Sequence, residues 1–132
     1  MNMTDCVDLH AYADKIGVRL VKHDNGPKGF YNNTTRTIST RRGLSIRAYR
    51  STLAHELAHA TYRDEPTGHG HYDQRQELRA DRWAARALID PEVFEDAYRW
   101  HAGCMQSIAD ELEVTHHLLD VWRDTQERKA LA

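Results

Sequence analysis

Two histidines four positions apart, with a glutamate directly after the first, are the side chains of this sequence best suited to chemistry. His55, Glu56 and His59 form the pattern H-E-x-x-H in a segment whose neighbours are small or apolar. Residues four apart on a helix project from the same side, so both imidazoles can hold one zinc ion. Glu56 lies one residue round from the first histidine, where it can take a proton from water at the metal. The pattern predicts one zinc ion per chain with a general base beside it.

A catalytic zinc ion needs a third protein ligand and keeps one position open for water. Glu65 follows His59 by six residues, but Tyr62 stands where that arrangement needs a glycine to turn the chain. His69 and His71 lie in a glycine-containing loop, which is a poor way to hold a ligand in place. These residues stay open as alternatives to a ligand that a helix holds.

An acidic pair at the start of the next predicted helix supplies the favoured third ligand. Glu77 offers a carboxylate, and Asp81 follows one turn later on the same face. Asp81 can accept the outer N–H of a zinc-bound histidine, which fixes its tautomer and orientation. Without a metal, the same two acids are equally compatible with an exposed helix face paired with nearby arginines, namely Arg75, Arg79, Arg82 and Arg86.

In zinc peptidases with the H-E-x-x-H pattern, the attacked carbonyl oxygen gains negative charge and needs a further donor. By residue type and proximity in sequence, four side chains qualify, and each is equally compatible with an ordinary loop position: Tyr72, His71, His69 and Tyr62.

The helices and strands that must position these residues are predicted from the spacing of apolar residues and from the residues that break helices and strands. Apolar residues at helical spacing predict a helix over 5–16, which Gly17 ends, and Ser45 caps a second helix that reaches Tyr62. A polar loop from Arg63 to Asp73 precedes a helix from Gln74 to Ile89. Three short strands are predicted at 18–21, 29–31 and 36–40. Three further helices are predicted from Pro91 onwards, at 105–112 and at 115–128.

These elements predict a mainly helical α+β fold with a small three-stranded sheet near the N-terminus and a helical C-terminal tail. Within one compact unit of 132 residues we expect a metal-binding core over 1–90 and a helical subdomain over 91–132 packed on it. No feature of the sequence predicts an oligomeric state.

Composition excludes several classes of protein. Eighteen basic and twenty acidic residues give a net charge of −2, which argues against a general nucleic-acid or polybasic membrane binder. No segment approaches the roughly 18 apolar residues of a membrane span, and the first ten residues lack the order of a signal peptide. Cys6 and Cys104 have no C-x-x-C spacing, so we expect two reduced thiols in a cytoplasmic protein.

The two metal-binding segments together resemble the ImmA/IrrE-type zinc metallopeptidases of phages, mobile elements and their hosts. The likeness extends over about residues 9–100, from Ala13-Asp14-Lys15-Ile16-Gly17-Val18 through the predicted sheet to Asp90-Pro91. Its most specific part is His55-Glu56-x-x-His59 followed by Glu77-x-x-Ala80-Asp81-x-Trp83-Ala84-Ala85-x-x-Leu88-Ile89.

This resemblance implies a minimal zincin-like peptidase fold and a zinc-dependent endopeptidase. It implies His55, His59 and Glu77 as ligands, Glu56 as the base and Asp81 as the group that holds a ligand. Such peptidases commonly cut helix-turn-helix repressors, so the implied partner is a transcriptional repressor of a phage or mobile element. The alternative is a non-enzymatic metal-binding regulator that binds a repressor or DNA.

The C-terminal segment 108–121 also resembles the core of a helix-turn-helix. Its second helix, however, offers His116, His117, Asp120 and Asp124 around its first arginine, so DNA phosphates would meet acidic groups. We therefore expect helices that pack on the peptidase or touch its substrate, and no direct binding of nucleic acid.

Overall fold

The computed structural model describes residues 8–131, except for the side chains of His71 and Tyr72. Six helices and three strands confirm the expected α+β class. In chain order they are α1 (Leu9–Lys15), β1 (Arg19–His23), β2 (Gly29–Asn32), β3 (Thr37–Arg41), α2 (Ile46–Tyr62), α3 (Gly70–Leu88), α4 (Pro91–Trp100), α5 (Met105–Leu112) and α6 (His116–Leu131). Within this described part, no helix is long and apolar enough to cross a membrane.

The sheet has the order β1-β3-β2, so β2 is an edge strand. β1 runs parallel to β3, and β2 runs antiparallel to it. Ile38, in the central strand, is fully buried. Both β2 and β3 pack against α2, and Gly29 of β2 lies close to Thr52 and Glu56 of that helix.

Helix α2 is the centre of the molecule. It begins where the Ser45 hydroxyl accepts the Ala48 N–H, as the sequence predicts, and it ends at Arg63 in the left-handed conformation (φ 55°). Leu53 and Leu57 on this helix are fully buried. Helix α3 packs along it, so side chains of the two helices meet.

Helix α3 begins four residues earlier than the sequence predicts, at Gly70 instead of Gln74. The Asp73 carboxylate accepts the backbone N–H and the hydroxyl of Thr67, at 2.9 and 2.8 Å. These bonds close the turn before the helix, so its first turn forms from residues whose types favour a loop. The predicted loop from Arg63 to Asp73 is therefore wrong in its last four residues, which belong to α3.

The C-terminal helices pack against the rest of the chain. Helix α6 lies on α3, and its Leu118, Leu119 and Trp122 are buried. The N–H of Thr115, just before α6, is accepted by the Ser51 hydroxyl of α2 at 3.0 Å. The division into 1–90 and 91–132 stays a prediction.

Candidate metal centre

Helices α2 and α3 bring two imidazoles and one carboxylate together. The Nε2 atoms of His55 and His59 are 3.2 Å apart. Glu77 of α3 reaches both, with one carboxylate oxygen 3.0 Å from His55 Nε2 and the other 2.9 Å from His59 Nε2. Among the described residues these three side chains form a group suited to a metal ion.

The spacing of the three donors suits a single small cation. Donors about 2.0–2.2 Å from a tetrahedral zinc ion lie about 3.3–3.6 Å apart. The observed 2.9–3.2 Å needs only a slight outward movement of His55, His59 and Glu77 to reach that geometry. Two histidines and one glutamate are also the ligand set of a known class of catalytic zinc sites.

Two partly buried acids accept hydrogen bonds from the outer nitrogens of the histidine rings. Asp81 accepts His55 Nδ1 at 2.7 Å, and Asp64 accepts His59 Nδ1 at 2.9 Å. An ionised carboxylate only accepts hydrogen bonds, so Nδ1 carries the proton in each ring. In a neutral ring the Nε2 lone pair is then left facing Glu77 and the other ring. Three electron-rich groups repel one another unless a cation lies between them, and the residues present therefore fit a metal ion.

The charges around the cluster favour a positive ion. Burial lowers the pKa of His55, but the hydrogen bond to Asp81 and the charges of Glu56, Asp81 and Glu77 outweigh it and raise that pKa to about 9. Burial opposes ionisation of Asp81 as well, yet its hydrogen bonds with His55 and His117 hold its pKa below the usual value. The same negative potential that retains a proton attracts a metal ion.

Glu56 is buried beside the cluster, with only 8% of its surface exposed. Burial raises the pKa of Glu56, the charges of His55 and His59 lower it, and Glu77 raises it further. The net effect is a raised pKa, which makes the ionised carboxylate a better proton acceptor than an exposed glutamate. A buried acid beside two imidazoles that could ligate a metal is suited to act as a general base.

Glu56 lies between two clefts that share Gly29 of β2. The first cleft, of about 370 Å³, extends over Phe30 and Tyr31 to His59 and Glu77. The second, of about 480 Å³, is lined by residues that include His55, Asp81 and His117. Gly29 and Glu56 line both clefts, so the edge strand β2 and the candidate metal ligands border the same space.

The remaining sequence candidates whose side chains the structure describes lie outside the cluster. Glu65 lines the first cleft, but its carboxylate accepts the Asn33 amide at 2.8 Å. His69 is exposed at the start of α3, and the ring of Tyr62 lies under the guanidinium of Arg79 at 3.9 Å. The side chains of His71 and Tyr72 fall outside the described residues. That one of the proposed donors stabilises an oxyanion stays a prediction; the candidates are Tyr72, His71, His69 and Tyr62.

Asp64 is the contributor that sequence reasoning missed. Its side chain is only 6% exposed, and Arg79 donates to its second oxygen at 2.5 Å. It reaches His59 because Arg63 turns the chain through the left-handed region at the end of α2. The only sign of this role in the sequence is that Asp64 follows His59 by five residues, just past the end of α2. That spacing does not match the three- or four-residue repeat of a helix face, so it did not single out Asp64.

We expect Asp64→Asn to weaken zinc binding about 10- to 100-fold, as loss of an outer partner of a ligand typically does. The amide keeps the size of the side chain but loses the charge that strengthens His59 as a ligand. A competition titration against a chromophoric chelator measures the change. Asp96→Asn, on the exposed face of α4, is the matched control and should bind zinc as the unmodified chain does. Equal affinities for both variants would remove Asp64 from the site.

Gly29 allows β2 to approach the metal-binding helix. A Cβ at this position would lie 2.5 Å from the Thr52 methyl group, closer than real contacts occur. We expect Gly29→Ala to lower the free energy of unfolding by about 1–3 kcal/mol, the usual cost of overpacking. Thr52→Ser removes the clashing methyl, so the same alanine should cost much less in that background. Urea unfolding of the four proteins tests this, and an equal cost in both backgrounds would contradict the close contact.

A histidine pair on one helix and an acid on the next, beside a small sheet with a free edge, define a fold and site of the metallopeptidase type. The chain belongs to the peptidase family described as Peptidase_M78, IrrE N-terminal-like domain, whose model matches residues 13–121. This match confirms the ImmA/IrrE-type resemblance. No curated protein sequence matches the chain.

A solved structure of a Mycobacterium tuberculosis transcriptional regulator has a similar fold. The TM-score is 0.65 at 16% sequence identity, and the match covers 86% of this chain. It covers 38% of the regulator, so this chain spans less than half the length of that protein. At this identity the likeness concerns the fold alone.

Proposed function

We propose that the protein is a zinc-dependent endopeptidase that cuts a protein substrate. The observation that carries this proposal is the position of Glu56, a buried carboxylate beside His55, His59 and Glu77 and between two clefts. A site that only stores or senses a metal has no need of a free carboxylate there. Zinc is the ion we propose because its catalytic sites use this ligand set.

The residues have distinct tasks in this mechanism. When bound, zinc supplies a Lewis acid that polarises the peptide carbonyl and makes water more acidic. A carboxylate oxygen of Glu56 accepts the proton from the attacking water and then delivers it to the departing amine nitrogen. Asp81 and Asp64 keep Nδ1 of the two histidines protonated, so that each Nε2 lone pair stays directed at the centre of the cluster.

The free edge of β2 supports binding of an extended peptide. The carbonyl of Lys28 accepts from Arg41, so by strand alternation Phe30 bonds to β3 as well. The backbone N–H and C=O groups of Gly29 and Tyr31 consequently point away from β3, towards the free edge of β2. An extended substrate can add to this edge as a fourth strand, with its backbone beside Glu56.

The substrate class that we propose is a helix-turn-helix repressor of a phage or mobile element, and we propose a cytoplasmic location to match this substrate. The support is the family to which the chain belongs and the resemblance of its motifs to that family. An exposed linker of such a repressor would present the extended backbone that the edge of β2 can bind.

The experiment is incubation of the purified zinc-loaded chain with the repressor encoded beside its gene. Intact-mass spectrometry over time should show two fragments that sum to the repressor plus one water. An unrelated helix-turn-helix repressor is the specificity control. Full zinc loading without cleavage of the neighbouring repressor would count against this substrate, and absence of cleavage of denatured casein as well would count against the peptidase.

A metal-binding regulator is the second candidate, because three residues join α5 to α6, with Glu113 at φ 57°, and a helix-turn-helix has a turn of this length. Helix α6 nevertheless packs its buried side on α3, and its N-terminal turn approaches Asp81. This function predicts that the chain binds its repressor or operator DNA tightly and leaves the repressor intact. A gel-shift assay run beside the cleavage assay separates the two functions.

A further inference from the structure

The C-terminal helix α6 contributes a side chain to the support of the metal centre. His117, in the first turn of α6, donates its Nε2 proton to Asp81 Oδ2 at 2.9 Å. The other oxygen of Asp81 accepts Nδ1 of His55 at 2.7 Å. A continuous chain of hydrogen bonds therefore runs from α6 to a proposed metal ligand.

Two donors on opposite oxygens restrict the carboxylate more than one donor does. With His55 alone, the carboxyl plane of Asp81 can rotate and exchange its second bond with water. Asp81 is 20% exposed at its side chain, so water has access to compete. The bond from His117 holds the plane in which Oδ1 meets His55, and thus the direction of the His55 ring.

The backbone around His117 is itself held in place. Thr115 is tied to Ser51 of α2, and the Thr115 hydroxyl accepts the N–H of Leu118 at 3.2 Å, which closes the first turn of α6. Leu118 and Leu119 are buried against the core. The imidazole of His117 therefore contacts Asp81 from a helix whose first turn is packed against the core.

We propose that His117 is a positioning residue of the metal centre, which acts through Asp81 to orient His55. This inference rests on the proposed metal site. It also means that the C-terminal helices belong to the functional unit, although the residues of the two metal-binding motifs all precede residue 90.

The test compares zinc affinities of the full chain by competition with a chromophoric chelator. We expect His117→Ala to bind zinc about three- to tenfold more weakly, less than for a residue that contacts a ligand directly. His117→Gln places an N–H donor near the position of Nε2 and should restore binding to within twofold. His116→Ala is the matched control, because His116 is the adjacent exposed histidine and lines a different cleft with Ser45 and Arg47.

Further readouts separate positioning from a general structural role. The melting temperature of metal-free His117→Ala should stay near that of the unmodified chain, and its defect in cleavage should fall on kcat and not on KM. A His117→Ala protein that binds zinc as His116→Ala does would overturn the inference, and so would a His117→Gln protein as weak as the alanine variant. If the unmodified chain and His55→Ala bind zinc equally, the metal site itself fails and the role of His117 fails with it.

Discussion

Glu56→Gln is expected to lower the rate of substrate cleavage about 10²- to 10⁴-fold, the usual contribution of a general acid–base group. The amide matches the carboxylate in size but cannot accept the proton of the attacking water. Zinc content should stay at one ion per chain, because the three proposed ligands are untouched. Intact-mass spectrometry measures cleavage, and metal analysis of the same sample measures zinc.

The fold should tolerate this substitution. Burial and the nearby Glu77 already raise the pKa of Glu56, so ionisation there is costly and a neutral amide removes that cost. We expect a melting temperature equal to or above that of the unmodified chain. Glu92→Gln, exposed on α4, is the control and should cleave at the normal rate. Cleavage by Glu56→Gln within a few fold of normal would exclude Glu56 as the base.

The helical part of the site is readable from sequence because its contacts are local. His55 and His59 share a face through the four-residue spacing, and Glu77 and Asp81 share one for the same reason. Ser45 marks the start of α2 through capping chemistry that acts within four residues. Each of these features depends on the chain immediately around it.

Contacts set by tertiary docking could not be predicted in this way. His117 lies 36 residues after Asp81, and only the packing of α6 on α3 brings the two together. Asp64 depends on the left-handed turn at Arg63, a conformation for which no glycine or asparagine gives a signal. The start of α3 depends on a side chain of the helix itself, Asp73, which bonds back to the preceding loop.

The sheet shows the same limit. Short strands are indicated by β-branched and aromatic residues, but strand order requires knowing which pairs form. The chain places β3 between β1 and β2, with one parallel and one antiparallel pair. This order leaves β2 at the edge beside Glu56, which the proposed mode of substrate binding requires.

Glu77→Ala is expected to weaken zinc binding at least about 100-fold, since four ligands of a structural zinc share about 10–16 kcal/mol and one ligand accounts for about 3. The side chain of Glu77 is 61% exposed, so its removal leaves the packing of α2 and α3 intact. The substitution therefore tests the third ligand without the loss of fold that a buried position would bring. Competition titration gives the affinity, and circular dichroism of the metal-free protein checks the fold.

The matched variants are the two other third-ligand candidates that the structure describes, Glu65→Ala and His69→Ala. Glu65 lines the first cleft and accepts a hydrogen bond from Asn33, so its loss should leave zinc affinity within about threefold. His69 is exposed at the start of α3, and we expect the same of it. A large loss for either variant, with normal binding by Glu77→Ala, would move the third ligand from the helix to the loop. Binding of zinc would then require residues 63–69 to close over the cluster, and the site would not be preformed.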